Sequence, residues 1–77
     1  MKVMIASDFF YEWELYEADD LNRFKQYAKN LLNNKENLTE YRIIGSQDTM
    51  ELSEAQEQAD KIIYTSELMD DREEQRL

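Results

Sequence analysis

The side chains able to do chemistry in this sequence are almost all carboxylates. Its 77 residues include 18 Asp and Glu against 9 Lys and Arg, for a net charge of -9, and hold neither Cys nor His. Thiolate and imidazole nucleophiles, histidine general bases and zinc sites of Cys and His therefore cannot be assembled, and only carboxylates, hydroxyls and amines remain. Paired carboxylates can serve as acid and base on a glycosidic bond, but a substrate cleft is hard to build from so short a chain, so no enzyme activity and no cofactor are expected. A calcium loop needs closely spaced carboxylates ahead of a glycine. Gly45, the single glycine, has no such run before it, and no metal site is expected. Asn37-Leu38-Thr39 matches the glycosylation sequon, and without a signal peptide the match reads as chance.

The carboxylates come in blocks. Residues 8–20 hold Asp8, Glu12, Glu14, Glu17, Asp19 and Asp20 with no basic residue. The stretch that follows, to Arg42, is mildly basic through Arg23, Lys25, Lys29 and Lys35. Beyond it lie Glu51, Glu54, Glu57, Asp60, Glu67, Asp70 and Asp71, then Glu73 and Glu74, against Lys61, Arg72 and Arg76. On a strand, Glu12 and Glu14 would share a face about 7 Å apart, comparable with phosphate spacing along a nucleic-acid strand. Glu51, Glu54, Glu57 and Asp60 fall near helical i,i+3 spacing, where side chains lie about 5 to 6 Å apart. The plain reading of such runs is a solvated face kept for solubility. The sharper one is a pair of phosphate-like rows, since a field of this sign repels nucleic acid and anionic membranes and steers the chain toward basic partners.

The elements that must carry these residues add up to one small α+β domain over residues 1–77, of order β-β-α-β-α, with helices on a short, mainly antiparallel sheet. Residues 2–6 are apolar and β-prone, and residues 9–16 alternate Tyr11, Trp13 and Leu15 against Glu12 and Glu14, which favours a strand joined to the first by a bend at Ser7-Asp8. A helical period through Phe9, Trp13 and Tyr16 is the competing reading. From Asp19 the stripe Leu21, Phe24, Tyr27, Ala28, Leu31 and Leu32 predicts a helix, with Asp19 and Asp20 at its positive end and Asn33-Asn34 as a left-handed stop. Residues 41–45 read as a strand followed by a turn. Ser53 to Gln56 has the form of a capping box, opening a helix with an apolar face of Ala55, Ala59, Ile62, Ile63 and Met69. Residues 61–66 could equally be a final strand, and residues 70–77 are polar enough to fray. The apolar start, residues 1–6, is too short for a signal or a membrane span, so a soluble cytoplasmic protein is expected. With so few residues to bury, homodimerisation is a further expected source of stability.

In size, in its lack of Cys and His, and in its acidic blocks from Asp8 to Asp20 and from Glu51 to Glu74, the chain resembles the small acidic host-takeover proteins of bacteriophages that act as DNA mimics. The resemblance implies a basic nucleic-acid-binding partner, such as a histone-like HU protein, a sliding clamp, RNA polymerase or a CRISPR effector, inhibited in the host cytoplasm. It implies no direct nucleic-acid or membrane binding. The expected partner-binding residues are Glu12, Glu14, Glu17, Asp19, Asp20, Glu51, Glu54, Glu57, Asp60, Glu67, Asp70 and Asp71. The alternative is an adaptor or subunit-type module that docks through Tyr11, Trp13 and Tyr16, its acidity serving solubility.

Overall fold

The computed structural model describes residues 1–34 and 40–69. In chain order these form β1 (Lys2–Ala6), a 3-10 turn (Asp8–Phe10), β2 (Trp13–Glu17), α1 (Leu21–Asn34), β3 (Arg42–Ser46), α2 (Leu52–Gln58), β4 (Lys61–Tyr64) and α3 (Thr65–Leu68). The class is α+β, with one strand and one short helix more than the sequence pattern predicts.

The strands make one sheet in the order β3-β2-β1-β4, antiparallel from β3 to β1 and parallel between β1 and β4. β1 is interior because its Val-Met-Ile-Ala run is apolar at successive positions, so that both of its faces can be buried. Val3 and Ile5 join Tyr16, Phe24, Tyr27, Ala28, Ile63 and Leu68 under α1 and α3. Met4 and Ala6 join Trp13, Leu15 and Ala55 under α2. Helices therefore cover both faces of a very small sheet. Phe24 anchors the first layer, packed against the rings of Tyr16, Tyr27 and Tyr41 at 5.1, 5.8 and 5.2 Å. Burying one such ring is worth about 1.5 to 3 kcal/mol.

The predicted stripe of α1 faces this core as expected, with Phe24, Tyr27 and Ala28 buried and Leu21, Leu31 and Leu32 half-buried. Its stop is different. Phe9 and Phe10 are the only described non-glycine residues with positive φ, so Asn33 does not take the left-handed form. It stays helical, and its amide donates to the carbonyls of Lys29 at 2.8 Å and Leu68 at 2.9 Å, tying α1 to α3.

The expected strand over residues 9–16 shortens and shifts to Trp13–Glu17. Residues 7–12 are a closed loop instead of a simple bend, because Ser7 holds both of its ends. The Ser7 N–H donates to the Glu12 carbonyl at 2.8 Å, the Phe10 N–H to the Ser7 carbonyl at 2.9 Å, and the Glu12 N–H to Ser7 Oγ at 2.9 Å. Near the other end of the chain the capping box does not form: α2 starts two residues earlier, with Glu51 at the N-cap and no side-chain cap bond. The helix also stops before Ile62 and Ile63. These β-branched residues pair in parallel with Met4 and Ile5 and contribute to the layers on opposite faces, a gain that a continued helix could not match. The strand alternative for this segment is the one realised, over Lys61–Tyr64.

Candidate functional site

β1, β3 and β4 run in the same direction, which gives the sheet a basal end, where they begin, and a far end, where they finish. Lys2, Arg42 and Lys61 are the first residues of these strands, and the other described basic residues, Arg23, Lys25 and Lys29, lie on α1. The connections at the far end, residues 7–12 and 47–51, together with α3, carry Asp8, Glu12, Asp48, Glu51 and Glu67 and no Lys or Arg. Folding thus cuts across the sequence blocks and sorts the carboxylates by end.

At the basal end the carboxylates are engaged. Glu17 meets the N-terminal ammonium at 3.2 Å. Asp19 accepts from Arg23 Nη1 at 2.7 Å and from the Tyr41 hydroxyl at 3.0 Å, and the Tyr41 bond, helped by the Arg23 charge, holds its carboxyl below the usual range. Asp20 caps α1 by accepting the Arg23 N–H at 3.0 Å. Asp60 accepts the Lys2 N–H at 2.8 Å and returns its own N–H to the Lys2 carbonyl at 2.7 Å, which fastens the start of β4 to β1. These candidate partner-binding residues also serve the fold, as a cap, a clasp and ion-pair members.

The far end is different. Its Asp8, Glu12, Asp48 and Glu51, together with Glu54 and Glu57 on α2, which runs back from it toward the basal end, are exposed, and their carboxylates have no hydrogen-bond or ion-pair partner among the described residues. Taken in strand order from β4 to β3, the connections bring Glu67, Asp8, Glu12 and Asp48 along one edge, with adjacent strands about 4.8 Å apart. α2 turns Ala55 to the core and leaves Glu54 and Glu57 exposed, which continues the acidic edge along one face. Glu67 accepts the Tyr64 N–H at 3.3 Å and Glu14 accepts the Tyr16 hydroxyl at 2.5 Å. Glu12 and Glu14 do come together, though not as a strand face: Glu12 sits in the loop, and both line a groove of about 410 Å³ with Trp13, Leu32 and Met69. Asp70 and Asp71 lie outside the described residues.

The aromatic candidates also divide. Trp13 and Tyr16 are only 4% and 3% exposed, on opposite faces of the sheet, and present no ring to a partner. Burial, reinforced by the bond to Glu14, pushes the Tyr16 hydroxyl far above the ordinary tyrosine range. Tyr11 is 77% exposed, and beside it stands Phe9 at 83%, the two ring centroids 6.2 Å apart. Phe9, Asp8 and Asp48 were not among the candidates read from sequence. Their signal is turn chemistry, because Ser7-Asp8 marks a loop that takes the following rings out of strand pairing.

Among the described residues no group of three or more Asp and Glu is placed to hold a metal ion, and no helix is long and apolar enough to cross a membrane. Compared with protein-family models, curated proteins and solved structures, the chain matches none.

Proposed function

We propose that this protein is an inhibitor that binds a basic, DNA-binding host protein in the cytoplasm, its far-end and α2 carboxylates taking the place of DNA phosphates. The observation that carries the reading is the sorting of charge. Carboxylates at the basal end are used up in caps and ion pairs, whereas Asp8, Glu12, Asp48, Glu51, Glu54 and Glu57 are left without partners among the described residues, on a surface whose connections hold no base. Like charges so gathered cost a few tenths of a kcal/mol per close pair, and a cationic partner would relieve that cost. On the partner, the same Lys and Arg that neutralise phosphates would neutralise this edge, so binding competes with DNA and weakens as salt shortens the screening length.

The test is capture from a bacterial lysate at rising salt, with duplex DNA as competitor. Retained proteins should be basic and DNA-binding, and should be released by both salt and DNA. Recovery of acidic partners, or retention that DNA leaves untouched, overturns the reading. The adaptor reading keeps one supporting observation, the exposure of Tyr11, and loses Trp13 and Tyr16 to the core. Under it, charge reversal on α2 would leave binding intact.

A further inference from the structure

The loop at residues 7–12 holds two large rings away from the core. Phe10 turns inward onto Tyr64, with ring centroids 5.8 Å apart, but Phe9 and Tyr11 pack edge-on to one another in solvent. The arrangement has a backbone cost, because Phe9 and Phe10 adopt φ of 63° and 59°, a left-handed form that bulky side chains disfavour. Folding does not need the Phe9 ring in that place.

We infer that this loop is a docking knob for an arginine side chain of the partner. The inference rests on the basic-partner reading above and specifies which cation is taken. Asp8 and Glu12, both exposed and without partners among the described residues, flank the rings, and Glu67 stands across a shallow hollow formed with Phe10 and Tyr64. A guanidinium can lie flat on Phe9 or Tyr11 while its edge meets a carboxylate in a two-pronged bond, whereas an ammonium, though ring faces attract it too, is a compact, strongly hydrated charge with no planar fork, and it gains less from the two together. A second copy of the chain is a poor occupant, since it would press Asp8, Glu12 and Glu67 against their own like charges in a molecule of net charge -9.

The experiment titrates the full chain with a labelled, capped peptide Gly-Leu-Arg-Gly-Arg-Leu-Gly and with its lysine counterpart, read by fluorescence anisotropy. The arginine peptide should bind about three- to fivefold more tightly, the size of an exposed cation–π contact. Phe9→Asn with Tyr11→Ser should erase that preference, and Asn tolerates the left-handed backbone, so the variant keeps its fold. Glu54→Lys with Glu57→Lys should weaken both peptides alike. Equal affinity for the two peptides, or a preference that survives Phe9→Asn with Tyr11→Ser, overturns the knob and leaves the acidic-face reading standing. Failure to bind either peptide overturns both. Sedimentation showing a dimer that the loop variant dissolves assigns the rings to a second copy and overturns the inference.

Discussion

The two ends of the sheet spend the same residue type in opposite ways. At the basal end, Asp19, Asp20 and Asp60 each accept a hydrogen bond from the backbone or from a neighbouring side chain, and Arg23 lies within reach of both Asp19 and Glu40. At the far end, Asp8, Glu12, Asp48 and Glu51 are exposed too but have no such partner among the described residues, and the loop beside them carries left-handed phenylalanines. A cap or a backbone clasp stabilises the fold whether or not anything binds. Unrelieved like charge and a strained loop do not. Carboxylate count alone therefore says little about where a partner binds, and the partnering of each carboxylate says more.

The comparison breaks most readily through charge reversal on α2. Glu54→Lys with Glu57→Lys should weaken partner binding about 100-fold, or about 2.8 kcal/mol, by isothermal titration at low salt. The same variant should shift the urea unfolding free energy by less than about 0.5 kcal/mol, because no bond within the described fold is lost. A large loss of stability would mean that α2 belongs with the basal end. Asp20→Ala is the mirror image: it should cost about 1 kcal/mol of stability through the lost cap and leave partner binding unchanged. Phe9→Asn sharpens the contrast from the other side. Asparagine accepts the left-handed form, so the variant should gain up to about 1 kcal/mol in the same unfolding measurement. A variant less stable than the parent would show that the Phe9 ring is part of the fold.

Much of this layout was legible in the sequence, and the misreadings share a cause. The stripe of α1 and the strand character of β1 and β3 are local patterns, set by apolar spacing, and they fold as read. Residues 9–16 misled because alternation says nothing about Ser7, whose backbone and hydroxyl bonds to Phe10 and Glu12 close a loop over the start of the pattern. Residues 59–63 stay open in the sequence because Ala59, Ile62 and Ile63 fit a helix face and a strand equally well, and only the vacancy beside β1, which no local pattern records, makes Lys61–Tyr64 a strand. Charge blocks do not each map to one place in the fold, for a related reason. Asp8 and Asp20 belong to one block in sequence yet lie at opposite ends of β2, while Asp8 and Glu67, remote in sequence, flank the same hollow.

The finest distinction concerns acid. The Asp19 carboxyl is held below the usual range chiefly by the Tyr41 hydroxyl, with backbone N–H groups and the Arg23 charge adding to it, so the folded protein favours its ionised form. That contribution is in full force above the unfolded carboxyl value of about 3.9 and is lost as pH falls through the lower folded value. Asp19→Asn should therefore flatten the decline of stability below about pH 4, read as urea midpoints across an acid series. Tyr41→Phe should flatten it in the same way, and the double variant should add little, since both remove one bond. If Asp19→Asn leaves the acid limb unchanged while Tyr41→Phe alters it, Asp19 is not a basal fitting. It would then return to the set of free charges open to a partner, and the division between the two ends would weaken at the residue where it is best defined.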